Sequence, residues 1–359
     1  MRSNRLFLDI HIIQTVPPSN VNRDDTGSPK TAQYGGVTRS RVSSQSWKKA
    51  IRDYFREKGG EKSVGIRSKY IVRYVTSKIL EKIEIDEEKA IEMAESVING
   101  AGVKTKDHQA KALFFLGDEQ AEKLAKAAID EVKDKKILQK ILNDNPAIDI
   151  ALFGRMVADD PSLNEDASCQ VAHAISTHAV VSEFDYFTAL DDLSKEDNAG
   201  AGMLGTVEFN SSTLYRYANI ALHEFEKQVG GVDVMTEGVK LFVEAFVNSM
   251  PTGKINTFAN QTLPYQVLVI LRKDRPVNLV TAFEEPVKTK EGYAKKSVEK
   301  LYKEVKKANK FVEKPVAIFE LSTEENFEDI GGKKENSQYE LWSDLGNAIK
   351  SELSEQVII

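Results

Sequence analysis

RLFLDIHIIQTVPPSNVNRDDTGSPKTAQYGGVTRSRVSSQSWKKAIRDYF, Arg5 to Phe55, contains a strand, a long polar loop and a helix in direct succession. From Arg5 to Val16 the chain alternates in part, with Leu6, Leu8, Ile10 and Ile12 on one face, which predicts a first strand. Pro17-Pro18 is expected to end it, and a loop to about Ser44 follows. A helix then starts near Ser44 or Ser46, either of which is a good cap. Trp47, Ile51, Tyr54 and Phe55 share one face of it, and Lys48, Arg52 and Arg56 form a stripe on the flank. The part from Pro17 to Phe55 is basic: Arg23, Lys30, Arg39, Arg41, Lys48, Lys49 and Arg52 stand against Asp24, Asp25 and Asp53. Backbone amides, hydroxyls, a helix N-terminus and fixed cations are what a phosphate backbone requires.

The rest of the chain is acidic enough to leave 359 residues with a formal charge of -6. A sequence pI near 5.6 argues against coating duplex DNA indiscriminately, but a local basic track binds through its own charge distribution. A hydrophobic content of 41% supplies a core, and a mean hydropathy of -0.37 fits a soluble globular protein. The single cysteine, Cys169, excludes an internal disulfide and suits a reducing, cytoplasmic setting. Asp9 and His11 interrupt the apolar N-terminal run, so it does not read as a signal peptide. No stretch approaches the ~20 apolar residues of a membrane helix, and no membrane partner is expected.

Gly59-Gly60 is expected to break the first helix. From about Ser63 to Leu142 the chain reads as an inserted helical block, with Asp86 capping a helix to Asn99 and Asp118 capping another to about Leu142. Strands are predicted over Ile148 to Met156, Glu183 to Leu190, Thr206 to Phe209, Tyr265 to Leu271 and Pro315 to Leu321. CQVAHAISTHAVV is ambiguous. Helices are predicted at about Val234 to Ser249, Tyr293 to Ala308 and Trp342 to Leu353. The mixture implies an α+β fold around an antiparallel sheet.

Several constellations resemble enzyme sites. Gly200, Gly202 and Gly205 match a dinucleotide fingerprint by letter, but a β-branched strand follows them where a helix is needed. They read better as a hairpin tip carrying Met203 and Leu204. Cys169, His173 and His178 lack the tight pairing of a zinc site and read as packed or hydrogen-bonded residues. Asp24 and Asp25 are candidate Mg²⁺ ligands, but turn chemistry and a salt bridge to Arg23 explain them more simply. No cofactor and no metal are expected.

Asn22-Arg23-Asp24-Asp25, Gly35-Gly36, RVSSQSWKKAIR (Arg41 to Arg52), IALFGRM (Ile150 to Met156), AHAISTH (Ala172 to His178), FDYFTALDD (Phe184 to Asp192) and TLYRYANI (Thr213 to Ile220) occur in order along the chain. Together they resemble the CasC-type backbone subunit of the type I-E CRISPR Cascade complex, in the RAMP superfamily. The resemblance implies an RRM-like (ferredoxin-like) antiparallel palm at 1–58 and 146–359, helical fingers at 59–145 and a β-hairpin thumb at 191–210. It implies a non-catalytic subunit that oligomerises along a CRISPR RNA and presents it to a target DNA strand, beside other Cascade subunits, in antiviral defence. In the helical block and the C-terminal third only the architecture carries over.

By that resemblance Asn22 and Arg23 sit at the RNA backbone, Lys48, Lys49 and Arg52 hold phosphates, and Ser43, Ser44, Gln45 and Ser46 form the polar run before them. Met156 would pack against a displaced base, and Tyr186, Phe187 and Thr188 would flank the kinked RNA, with Met203 and Leu204 at the wedge. Where the family carries further basic residues after the glycine pair, this chain has Val37-Thr38, and Arg39 and Arg41 would compensate. Two rival readings are a metal-dependent ribonuclease of the same superfamily using Asp24 or Asp25, and a structural protein that self-associates without RNA.

Overall fold

The computed structural model describes residues 5–60, 64–157, 160–189, 203–324 and 327–355. β1 (Phe7–Ser19) is its central strand. Leu6, Leu8, Ile10 and Ile12 are fully buried on one face, and Asp9, His11 and Ile13 are equally buried on the other. Both faces are therefore covered, which is why the strand alternates only in part. The expectation that Pro17-Pro18 ends it is corrected, since the strand runs through both prolines to Ser19. Pairing shifts register between Val16 and Ser19, an irregularity where prolines, lacking an N–H, are tolerated.

The expected loop before Ser44 contains a hairpin, β2 (Thr31–Tyr34) and β3 (Val37–Val42), closed by Gly35-Gly36. Both glycines have positive φ, 59° and 77°, as a tight two-residue turn needs. A Cβ on Gly35 would also fall 1.6 Å from the Glu284 carbonyl oxygen. α1 (Ser44–Gly59) follows, and Gly60 ends it at φ 75°.

The next block is less uniformly helical than its composition suggests. β4 (Ile66–Ser68), α2 (Ile71–Leu80) and α3 (Glu87–Gly100) lead to the short strands β5 (Thr105–Lys106), β6 (Gln109–Ala110) and β7 (Phe114–Leu116). The single helix expected from Asp118 is two, α4 (Asp118–Ile129) and α5 (Lys135–Asn143). Glu131 takes a left-handed φ of 53° between them, and the Asp134 carboxylate accepts from the Lys136 and Ile137 amides to start the second. Gly117, not Asp118, is the N-cap of α4, and Asp86 precedes α3 without a side-chain capping bond. Ile71, Val75, Ala94, Val97, Leu124 and Leu138 belong to a hydrophobic cluster separate from that of the main sheet.

The strand expected at Ile148 to Met156 is instead α6 (Ile148–Phe153). Asp149, Ile150, Ala151 and Leu152 are all buried, so no period of 2 or 3.6 marks the segment. The ambiguous stretch holds β8 (Cys169–Val171) and β9 (Ala174–Ser176). β10 (Glu183–Ala189) and β11 (Met203–Ala221) come next, then α7 (Leu222–Val229), α8 (Val232–Asn248) and α9 (Ile255–Phe258). β12 (Gln266–Arg272), α10 (Ala294–Ala308), β13 (Ala317–Ser322), β14 (Lys333–Lys334) and α11 (Gln338–Glu355) complete the chain.

The main sheet has the order β14-β13-β12-β1-β11-β9-β3-β2, with β8 and β10 also on β11, and only β13–β14 is parallel. One face packs Leu8, Ile10, Ile12, Ala218 and Ile220 against helices α1, α8 and α11. The other packs Ile13, Tyr215, Tyr217, Leu268 and Ile270 against α10. Asp9 lies between β12 and β11 on that second face, accepting from Tyr217 Oη (2.7 Å), Arg272 Nε (3.2 Å) and Val277 N (3.1 Å). His11 stacks on Tyr217 and shares a 2.9 Å hydrogen bond with Tyr215 Oη.

Burial, more than its bonds from Tyr217, Val277 and Arg272 can offset, pushes the Asp9 carboxyl up to about 6. Burial first, then the Arg272 charge, pushes His11 down to about 3. The unfolded chain thus protonates His11 below about pH 6.5 while the folded chain does not, so stability is lost as pH falls. Asp9 acts oppositely, since its raised value makes the folded chain the stronger proton binder between about pH 4 and 6. His11→Gln is expected to remove the first slope. Denaturant unfolding at pH 7.5 and pH 5 should show the native chain losing about 2 kcal/mol more than the variant. Parallel losses would mean that His11 takes up its proton in the folded state.

Candidate nucleic-acid interface

α1 is seated by its apolar side. Trp47, Ala50, Ile51 and Phe55 are buried. The Arg216 guanidinium from β11 lies 3.8 Å from the Trp47 ring centroid and 4.6 Å from that of Phe246. It donates to Gln14 Oε1 at 2.5 Å and to the Phe246 carbonyl. No carboxylate is among these partners, and burial pushes Arg216 down to about 9. At the helix start Ser43 is extended, and its N–H donates to Asn22 Oδ1 at 2.9 Å, which ties the preceding loop to α1. The first turn carries no acidic residue, so the positive end of the helix dipole meets no charged neighbour on its own helix.

Each flank of α1 borders a cleft. The larger, of about 840 Å³, is lined by Gln45, Lys48, Arg52, Arg67, Phe153 and Met156, among others. Lys48 Nζ stands 5.1 Å from the Phe153 ring centroid. Arg52 lies 4.4 Å from the ring centroid of Phe115, donates to the Gly65 carbonyl at 3.0 Å and pairs with Asp149 Oδ2 at 2.7 Å. Asp149 is fully buried, and desolvation raises its carboxyl above the ordinary range despite bonds from Gly65 N and Arg52. Met156, 85% exposed, stands free at the rim. Arg155 beside it is buried, with its guanidinium on the Leu163, Leu142 and Phe115 carbonyls.

The second cleft, of about 340 Å³, brings together Asn22, Arg23, Ser46, Lys49 and Asp53 with Thr252 and Gly253 of the α8–α9 connection. Lys49 pairs with Asp53 one turn on at 2.5 Å, an exposed contact of small net worth. Arg23 is exposed. Asp24 Oδ1 accepts from Thr26 N, Thr26 Oγ1 and Ser28 N at 2.9, 2.7 and 3.1 Å, and the Thr26 hydroxyl first among these holds its carboxyl below the usual range. This is the turn chemistry expected of it; the expected salt bridge to Arg23 is not found among the described residues.

One expectation needs correction. Arg39 is fully buried, donating to the carbonyls of Tyr34 (3.1 Å), Ser176 (3.0 Å), Phe283 (2.7 Å) and Glu284 (3.4 Å). It latches the β2–β3 hairpin to the segment before α10 and offers nothing to a phosphate. Arg41 is half-buried, on the Thr31 carbonyl and His173 Nδ1. His173 is itself exposed, whereas His178 is buried, accepting from Thr213 N and stacking on Tyr293 at 3.6 Å. Cys169 is buried elsewhere in the core, and among the described residues no three metal-ligating side chains converge. Ser43 is buried, while Ser44 and Ser46 are half-buried and Gln45 is exposed.

β10 and the start of β11 form a ribbon whose β10 residues are all exposed. Phe184 and Tyr186 are 69% and 64% exposed, and Thr188, on the same side, faces Leu204. Phe187 points to the opposite side, its ring over Gly205, where a Cβ would approach to 2.4 Å. Tyr186 and Phe187 are therefore not brought together. Met203 pairs in register with Ala189; Gly200, Gly202 and the expected thumb residues 191–202 lie outside the described residues. Sequence reasoning missed Arg67, Phe115 and Phe153; Arg67 lies in β4, whose three residues are too few to carry a periodic signal.

Residues 8–345 match the family model of CT1975-like proteins. One similar solved chain belongs to a structure described as "CRISPR RNA-guided surveillance complex, pre-nicking", with 32% identity, a TM-score of 0.84 and coverage of 96% of this chain and 100% of that one. Another, from a "CRISPR RNA-guided surveillance complex", has 28% identity, a TM-score of 0.74 and coverage of 95% and 99%. No curated protein matches the chain.

The geometry separates two lysine-flank positions that the sequence treats alike. Arg52→Ala leaves the buried Asp149 carboxylate without its cation and is expected to cost about 3 kcal/mol of stability. Lys48→Ala removes only a cation–π contact, about 0.5–1 kcal/mol. Urea unfolding of nucleic-acid-free protein measures both, and equal costs would show that Asp149 does not depend on Arg52.

Proposed function

The chain belongs to the CT1975-like protein family, and from that premise we propose that it is a non-catalytic, guide-RNA-binding backbone subunit of a type I-E Cascade complex. One observation carries the reading: Lys48, Arg52 and Arg67 share an open cleft with Phe153 and the exposed Met156, beside a helix N-terminus free of acidic residues. Cations and amides hold phosphates whatever the sequence, and thioether or aromatic surfaces accept any base. That combination suits a strand whose sequence changes from one guide to the next. The chain's length-wide likeness to subunits of RNA-guided surveillance complexes supports the same reading.

In this reading the sheet with its helices is the RRM-like palm, the block at 59–145 the fingers, and the β10–β11 ribbon the base of the thumb. Copies array head to tail along the guide, and target DNA is met through the guide's bases. The ribbon's exposed Phe184, Tyr186 and Leu204 suit insertion between nucleotides or against a neighbour. Asp24 supports the non-catalytic half, because one of its oxygens already takes three bonds from its own turn.

Lys48→Ala and Arg67→Ala should each weaken RNA binding to a similar degree on unrelated sequences. The dependence of affinity on salt should fall by about 0.7 per lost phosphate contact. Filter binding across a salt series measures this, and a loss confined to particular sequences would overturn the phosphate assignment. Incubation of labelled RNA with Mg²⁺ tests the catalytic alternative: cleavage abolished by Asp25→Asn would replace the present reading.

A further inference from the structure

Between Lys288 and Lys314 the chain carries ten lysines and no arginine, against four glutamates. Lys296, Lys300, Lys303, Lys307 and Lys310 follow a four-three-four-three spacing through α10 and just past its end. At 3.6 residues per turn these five fall on one stripe, spanning about 16 Å from Lys296 to Lys307. The opposite side of the helix is buried through Val298, Leu301, Tyr302 and Val305. Lys300 and Lys307 are paired with Glu285 and Glu304. Among the described residues Lys296, Lys303 and Lys310 are exposed and make no ion pair. Phe311, next to Lys310, is 90% exposed.

We propose that this stripe is a second nucleic-acid track, holding a single-stranded phosphodiester backbone with Phe311 as a stacking platform for a base. It goes beyond the guide-binding reading and does not depend on it. α10 packs on the sheet face of Ile13, Tyr215 and Tyr217, whereas α1 packs on that of Ile10 and Ile12. The two tracks therefore lie on opposite sides of the sheet and serve separate strands. A lysine row without arginine argues against a protein partner, since protein interfaces are depleted in lysine and enriched in arginine. Compact, hydrated ammonium groups suit phosphates bound by counterion release. An exposed ring beside a lysine row is the arrangement that grips unpaired bases.

The test uses the complex as purified, its bound RNA quantified first, so that failure of the guide reading is visible independently. Fluorescence anisotropy then follows labelled oligodeoxythymidine, oligouridine and a blunt DNA duplex, none complementary to that RNA. Lys296→Glu/Lys303→Glu/Lys310→Glu is expected to weaken single-strand binding at least about tenfold and to lower the salt slope by about 2, with bound RNA and particle size unchanged. Phe311→Ala should weaken it about fivefold or more with the slope intact. The two single strands compared with each other tell whether DNA or RNA is preferred. Unchanged binding in the triple variant overturns the proposal. So does duplex binding that exceeds single-strand binding, or a triple variant that loses only its assembly, which would make the stripe a contact between copies.

Discussion

The fold depends on the continuity of β11. Its 19 residues pair with β10 at one end and lie between β1 and strands β8 and β9 at the other. At ~3.3 Å per residue such a strand reaches about 60 Å. Its register against β1 sets Leu214, Ala218 and Ile220 toward one pair of layers and Tyr215 and Tyr217 toward α10. A slip of one residue would turn Tyr215, Tyr217 and the Asp9 network to the wrong side and send Arg216 away from Trp47. The projecting ribbon is thus an extension of the core and not an appended loop.

The same strand fixes the interface. Arg216 reaches from β11 to Trp47, so α1 is pinned in its first turn while its polar flanks remain over open clefts. Within the larger cleft the cations differ in kind. Arg52 is held by a buried carboxylate and an aromatic face, and the half-buried Lys48 leans on a ring with no ion pair among the described residues. In the guide-binding reading proposed above, the constrained Arg52 would position a phosphate and the less constrained Lys48 would add charge to it.

How much of this was legible follows from what each residue answers to. β1, α1, α10 and β13 were read within a few residues because one face of each is apolar and the other side is differently clothed, and β12 because a short apolar, β-branched run buried on both faces reads as a strand. α6 was misread because all its middle residues are buried, which erases periodicity. The β2–β3 hairpin was missed although Gly35-Gly36 marked it, because its short strands carry polar residues on a half-exposed surface. Arg39 read as a surface cation, because nothing local distinguishes a guanidinium bound for solvent from one bound for four carbonyls more than a hundred residues away in part. The cleft was half legible: Lys48, Arg52 and Met156 carry recognisable chemistry, whereas Arg67, Phe115 and Phe153 join them only through tertiary packing.

The order of the main sheet leaves its two outer edges to β2, four residues long, and β14, only two. The six-residue β13 meets β14 at only two positions, Phe319 and Glu320, so the rest of its outer side is paired to no described strand. Short edges are poor templates for adding a foreign strand. The two terminal strands therefore offer little to edge-to-edge pairing, and the outer side of β13 is a place where a further strand could lengthen the ladder of the main sheet.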